Sequence, residues 1–451
     1  MNTITPELLS SMQESYASDR AAQIASNAAV KNGVMGTAAS YKAIRAIPYS
    51  FSVDLDQGDI TDQKTSGRCW IFAACNVMRY EMMKKYSLSS LQLSQSYLFF
   101  YDKLEKANFY LENMITVADE PVDGRLYAFL TADPICDGGQ WEMVANLVRK
   151  YGVVPVEAYP DSANATRSRF FDMYLTSLLR EDGVKLRNAV NSGTDRDTLT
   201  RMKEGFMNEV YRILCISLGE PPRTFDYIVR DKDKKNTYNE RGITPREFYE
   251  KYIGIDLDSL AGLVNAPADN KPLYSRYTVK FLGNVAEGKR IEYINLPLEK
   301  FKAAAVAQLK DGHPVWFGSD VRKFCLSKEG ILDRASADVE TLFGIHYGFS
   351  KGERLVYGDS AMNHAMVLVG VDLDENGRPD RWRVENSWGE DVGHKGFYIA
   401  SDAWFDEFVY QLVVDRKYLD SESLAVFDKP VIELEPWDPL GTLADCCLTG
   451  T

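Results

Sequence analysis

After residue 69, Trp70, Ala73, Ala74, Val77 and Met78 fall at i, i+3, i+4, i+7 and i+8, which is the template of an amphipathic helix. A second helical stretch covers Leu91 to Met114, starts at Ser94 and puts Tyr97, Tyr101 and Leu104 on one face. A third follows Asp137-Gly138-Gly139; it turns Trp141, Val144, Val148 and Tyr151 inward and ends at Gly152. Polar, alanine-rich segments in residues 1 to 45 also read as helical, as a docking helix or extension. Past Leu273 the pattern changes to short, continuous apolar runs of strand length. His313 to Phe317, His364 to Val371, the segment ending in Asn386, and Asp402 to Leu419 read as core strands, with one helix over Pro297 to Gly312. Asn376-Gly377 marks a hairpin turn inside the Asp372 to Asp380 region. That hairpin brings His364 at one end level with Asn386 at the other.

This pattern places Cys69 at the first turn of a helix. Unpaired N–H groups and the positive end of the helix dipole favour an anion there, and the thiolate is the nucleophilic form of cysteine. Buried cysteines also serve as small apolar packing groups, so position alone leaves both readings open. The neighbours favour chemistry. Gly67 permits a tight approach into the helix, and the Gln63 amide complements the Cys69 N–H as an oxyanion hole. A thiolate needs a base, and a base needs an orienter. Of the four histidines, at positions 313, 346, 364 and 394, only His364 has a partner motif, in Asn386-Ser-Trp388. In this reading His364 deprotonates Cys69, Asn386 fixes the ring through its other nitrogen, and Trp388 shields that hydrogen bond from water.

Gln63, Gly67-Arg-Cys69-Trp70, His364-Ala and Asn386-Ser-Trp-Gly389 resemble the oxyanion, nucleophile, base and orienter motifs of papain-like cysteine peptidases. Leu93-Ser-Gln-Ser-Tyr-Leu-Phe-Phe100, Asp137-Gly-Gly-Gln-Trp141, Lys150-Tyr-Gly-Val-Val-Pro155, Val413-Val-Asp-Arg-Lys417 and Trp437-Asp-Pro439 narrow the resemblance to the bleomycin hydrolase and aminopeptidase C branch. It spans about residue 25 to residue 444. The resemblance implies an α+β fold, with a papain-like core of one helical and one β-sheet part, a large helical insertion and a C-terminal arm. The corresponding division is 1–159 for the N-terminal extension and helical half, 160–275 for the insertion, 276–432 for the β-rich half and 433–451 for the arm. Cys69 and His364 lie 295 positions apart, against roughly 130 to 150 in simple papain-like enzymes. In the related branch such insertions hold a homohexamer together. The resemblance also implies that Gly138 and Gly139 pair with extended substrate, and that an arm ending at Ala444 offers its carboxylate to the free amine of a peptide. The chain runs on through Asp445 to Thr451. Three fates are open to this tail: trimming by Cys69, folding aside or into the cleft, or origin as a cloning remnant.

Composition changes the picture in a few places. With 65 acidic against 52 basic residues the net charge is −13, which disfavours nucleic acid as a partner. Asp231-Lys-Asp-Lys-Lys235 reads as a solvated loop. There is no 18-residue apolar run and no apolar leader in the first 20 residues, so the expectation is a chain without a membrane partner that stays in the cytoplasm. Seven cysteines make neither a disulfide framework nor a metal cluster. Secreted papain-like enzymes bridge the position of Cys136 to one occupied here by Ser66, so that bridge cannot form, which fits a reducing compartment. Asp372-Leu-Asp-Glu-Asn-Gly377 matches the opening of a calcium loop but has Arg383 where its last ligand belongs. No metal and no cofactor are expected. The leading expectation is a cysteine aminopeptidase acting on peptides. A cysteine endopeptidase on the same scaffold and a non-enzymatic, chaperone-like binding assembly are the alternatives.

Overall fold

The computed structural model describes residues 3–445. The last six residues of the tail, 446–451, lie outside the described residues, and with them most of the segment whose fate the sequence leaves open.

A twelve-stranded sheet runs through the C-terminal half. From one edge its order is Val431–Leu434, Ser275–Val279, Tyr293–Asn295, Leu260–Val264, Val409–Asp415, Val315–Ser319, His364–Leu373, Pro379–Glu385, Phe397–Ser401, Ile331–Leu332 and Cys325–Leu326. The short strand Val53–Asp54 pairs with the far end of the His364 strand. That strand is antiparallel to both its main neighbours. Successive side chains of a strand point to opposite faces, and here both faces are covered. Ala365, Val367 and Val369 join the core formed with the Cys69–Tyr86 helix, whereas Met366 and Leu368 join a second core with the Leu298–Lys310 helix. A strand buried on both sides has no polar alternation, which explains the unbroken apolar run.

The helical half contains the three expected helices, Cys69–Tyr86, Gln95–Thr116 and Trp141–Tyr151. Ser94 caps the second, its hydroxyl accepting from the Tyr97 N–H at 3.1 Å. Gly152 ends the third at φ +72°, where an added Cβ would stand 2.3 Å from the Pro245 carbonyl. Asn376-Gly377 sits in the hairpin turn, with the Gly377 N–H donating to the Asp374 carbonyl at 2.9 Å.

Two segments differ from expectation. Asp402 to Leu419 is not all strand: Asp402–Phe408 is a helix, capped by the Ser401 hydroxyl, and only Val409–Asp415 is extended. Trp404, Phe405 and Phe408 bury one face of that short helix, an apolar cluster equally compatible with a strand. Residues 160–275 begin with two long helices, Arg169–Asn191 and Arg196–Leu218, but then change character. A hairpin of Phe225–Arg230 and Thr237–Ile243 follows, and Leu260–Val264 already belongs to the main sheet. The hairpin forms because Phe225 and Tyr227 alternate inward onto Phe248, at ring distances of 5.3 and 4.9 Å.

Among the described residues no helix is long and apolar enough to cross a membrane.

Lys351 opens the Lys351–Val356 helix on the approach to His364 and is buried, with Nζ donating to Asn265 Oδ1 at 2.8 Å and to the Val409 carbonyl at 2.6 Å. Burial pushes its pKa down to about 7. An unfolded lysine titrates near ~10.4, so between those two values the unfolded chain binds the extra proton. A group with a depressed folded pKa adds stability that is present at high pH and lost as pH falls. Unfolding free energy should therefore contain a component rising by about 1.4 kcal/mol per pH unit between pH ~7 and ~10. Urea denaturation of wild type and Lys351→Met across that range checks this: the difference between them should slope, and parallel curves would contradict it.

Candidate active site

Cys69 is the first residue of its helix. The cap residue Arg68 supplies no side-chain hydrogen bond to the helix end; its carbonyl accepts from the Ile71 and Phe72 N–H groups at 2.9 and 3.0 Å. The Arg68 side chain is instead buried between the Phe72 and Phe99 rings, donating to Ser66 Oγ at 2.8 Å and to Asp161 at 3.0 Å. Cys69 and His364 are both buried.

His364 Nε2 lies 2.9 Å from Asn386 Oδ1. With Asn386 accepting, the proton of the neutral ring is on Nε2, and Nδ1 is the nitrogen left for exchange with a thiol. The Trp388 ring covers this pair, its centroid 4.7 Å from the imidazole and tilted by 30°. Asn386 Oδ1 also accepts from the Ser387 N–H at 2.8 Å, which fixes the amide's orientation.

Gln63 joins the two halves. Its backbone N–H donates to the Ser387 carbonyl at 2.9 Å, and its Oε1 accepts from the Ser387 hydroxyl at 2.7 Å. Its amide nitrogen donates one of two protons to the Ser66 carbonyl at 2.7 Å. The amide is thus anchored at both ends, between the loop that leads into Cys69 and the loop that follows Asn386.

A second link is deeper. Arg79, ten positions past Cys69, forms a buried ion pair with Glu385, which directly precedes Asn386. Burial raises the Glu385 pKa and Arg79 opposes the rise.

Gly138 and Gly139 meet the C-terminal arm. The Gly139 N–H donates to the Ala444 carbonyl at 3.2 Å, and the Ala444 N–H donates back to the Gly139 carbonyl at 3.0 Å. Gln140 Nε2 donates to the Thr442 carbonyl at 2.6 Å, and the Asp445 N–H donates to the Asn363 carbonyl at 3.0 Å. Neither glycine tolerates a side chain. A Cβ on Gly139 would stand 2.4 Å from the Trp70 ring, and one on Gly138 would meet Leu443 and Asp445 at 2.9 and 2.8 Å. Asp445 also lies against Gly67, where an added Cβ would come within 2.8 Å of its carbonyl oxygen. Gly67 precedes Cys69 by two positions and Asn363 precedes His364 by one, so Asp445 lies against the backbone that leads into both residues. A cleft of about 930 Å³ runs beside the arm, lined among others by Asp133, Met362, Asn363 and Trp437. Burial pushes the Asp445 carboxyl up, against the pull of Arg322.

The other three histidines are occupied elsewhere: His313 Nδ1 with Glu81 at 2.7 Å, His346 Nδ1 with Glu340 at 2.8 Å, and His394 against the Tyr49 ring at 4.2 Å. Asn363 and Gln140 were not singled out from sequence. Each adjoins a residue that was, and adjacency to His364 and to the glycine pair is the signal available for them.

Comparison with known proteins agrees with the resemblance. The model of the Peptidase C1-like family matches residues 3–441. Aminopeptidase C of Streptococcus thermophilus is 45% identical over 418 residues, 93% of this chain and 94% of that protein. Bleomycin hydrolase of Gallus gallus is 43% identical, with 88% of each chain covered. The crystal structure of PepW from Lactobacillus rhamnosis HN001 superposes with a TM-score of 0.95 at 43% identity, covering 98% of this chain and 99% of that one.

Removing one member of a buried ion pair strands the other charge. Arg79→Met should therefore lower unfolding free energy by roughly 3–5 kcal/mol, and adding Glu385→Leu should recover most of the loss. A double-mutant cycle by urea denaturation measures both; additive losses would show that the pair is not coupled.

Proposed function

The chain belongs to the Peptidase C1-like family as a papain-like cysteine aminopeptidase, and from that premise we propose how it releases N-terminal residues from peptides. Cys69, deprotonated by His364 Nδ1, attacks the carbonyl of the first residue. The Cys69 N–H and the Gln63 amide hold the resulting oxyanion, and Asn386 holds the imidazolium in line. His364 then passes the thiol's proton to the leaving amine, and the shortened peptide departs. Water, deprotonated by the same ring, attacks the thioester carbonyl; the proton returns to sulfur and the amino acid leaves. Positive potential at the helix N-terminus favours the thiolate throughout.

The observation that carries this reading is the antiparallel pairing of Ala444 with Gly139. The arm lies along the backbone where extended substrate would pair, so nothing upstream of a peptide's first residue has room. In the full-length chain Asp445 takes the position that a peptide's first residue would hold; to cut after Ala444, Cys69 must meet the Ala444 carbonyl instead, with the arm advanced by one residue. A chain ending at Ala444 would empty the first-residue position and leave a carboxylate at its rim, facing the amine of a peptide in the cleft. We therefore read the tail as a segment that Cys69 itself removes.

Assembly and compartment follow the same resemblance. Leu8, Leu9, Met12 and Tyr16 are exposed along the Pro6–Ser18 helix, none of whose residues is buried, which supports association with further copies in the expected hexamer. Cys136 stands as a thiol beside the glycine pair, which supports a cytoplasmic setting.

Two kinetic outcomes test the function. A fluorogenic aminoacyl amide should be cleaved far faster with its amine free than acetylated; a ratio near one would replace this reading with an endopeptidase. Cys69→Ala should be inactive, and Gln63→Ala should lose roughly 100- to 1000-fold in kcat. Wild-type rates in either variant would sink the assignment.

A further inference from the structure

Charged groups outside the Cys69, His364 and Asn386 set meet beneath the loop that enters the Cys69 helix. Asp137 Oδ2 accepts from the Gly67 N–H at 2.8 Å and from the Ser168 hydroxyl. The Asp137 backbone carbonyl accepts from the Trp70 indole N–H at 2.7 Å. One residue is therefore held by both sides of the nucleophile, two positions before Cys69 and one after it.

The charge balance behind Asp137 comes from two helices. Lys103, fully buried on the Gln95–Thr116 helix, lies 2.8 Å from Asp137 Oδ1 and 2.6 Å from Asp172 Oδ1. Asp172 and Ser168 belong to the start of the long insertion, at the head of the Arg169–Asn191 helix. Lys106, one turn along, donates to the Cys136 and Gly138 carbonyls at 2.7 and 2.6 Å and pairs with Asp102. Two lysines thus hold the loop carrying the glycine pair, and one of them is shared between two carboxylates.

We infer that Asp137 is a positioning residue for the nucleophile, and that the insertion adjusts it through Asp172 and Lys103. Asp137 fixes the peptide ahead of Cys69 and the indole after it, and with them the direction of the Cys69 N–H toward an oxyanion. The inference rests on Cys69 being the nucleophile. It gives the head of the insertion a part in catalysis besides any part in assembly.

The two carboxyls titrate differently. Burial raises Asp137, but Lys103 and the hydrogen bonds outweigh it and hold the group well below the usual carboxylate range. Burial, with the Asp137 charge added, pushes Asp172 up to about 7 although Lys103 opposes it. Lys103 and Asp137 are the charged groups facing Asp172 from the packed elements. Below pH ~7 Asp172 is neutral and Lys103 serves Asp137 alone. Above it Lys103 is shared, and one more negative charge lies near the first turn of the Cys69 helix, which disfavours the thiolate.

The test uses the full chain as wild type, Asp137→Ala, Asp137→Asn and Asp172→Asn. Two quantities are read: kcat and KM on a free-amine substrate, and the iodoacetamide alkylation rate of the Cys69 peptide by mass spectrometry. Asp137→Ala should lose roughly 10- to 100-fold in kcat with KM within about two-fold. Asp137→Asn, whose amide oxygen still accepts from Gly67, should recover most of that. Asp172→Asn should be alkylated several-fold faster than wild type above pH 8, the gap closing toward pH 6. A folded Asp137→Ala with wild-type kcat overturns the inference, as does an Asp172→Asn profile that superimposes on wild type. If Asp137→Ala fails to fold, Asp172→Asn decides alone. A wild-type Cys69 that resists alkylation removes the nucleophile assignment itself, an outcome distinct from the other two.

Discussion

The pairing of Gly139 with Ala444 is the constraint on which the rest of the site depends. An extended segment laid along a loop needs both backbones to approach within hydrogen-bond distance, and side chains on the loop would prevent it. Gly138 and Gly139 are bare for that reason, and Gly139 has a second one, since Trp70 packs against its missing Cβ. Trp70 in turn donates to Asp137 and accepts at its carbonyl from the Trp316 indole at 3.3 Å. The Cys69 helix, the glycine loop that holds the arm, and the central sheet are thereby held in one packed unit. The arm reports the groove's geometry because it occupies the groove.

Two cores meet at this groove. The Cys69 helix brings the positive end of its dipole, and the sheet brings a ring on a strand buried on both faces. Neither half has the chemistry alone. What brings them into register is polar and local: Gln63 with Ser387, and Arg79 with Glu385 beneath. Buried polar links of this kind add little net stability when complete and are costly when broken. They fix relative position, which is what the proposed nucleophile and base, drawn from separate elements, require.

Much of this was legible in the chain. Helical spacing after Cys69, the Ser94 cap, the Asn376-Gly377 turn and the double-faced strand from His364 are local signals, and local physics forms them. The extended arm was legible too, from Pro436 and Pro439, although a 3₁₀ turn at Pro439–Gly441 interrupts it. The arm's register was not, because it depends on backbone pairing of Ala444 with Gly139, 305 positions away. The Asp402–Phe408 helix was read as strand because an apolar cluster that short fits either period. The Lys103, Asp137 and Asp172 cluster was invisible for another reason. Charged residues on helices ordinarily face water, and only tertiary packing turns these inward. The sequence did exclude a disulfide at Ser66 and Cys136; a buried ion cluster one residue away from each ties the same two loops together.

The central claim is that the arm lies along the path of a substrate and that Cys69 removes what lies beyond Ala444. Intact mass of freshly purified wild type and Cys69→Ala, expressed side by side, tests it most directly. The account predicts a wild type ending at Ala444 and a Cys69→Ala chain ending at Thr451. Both chains ending at Thr451, with the wild type fully active on free-amine peptides, would contradict it.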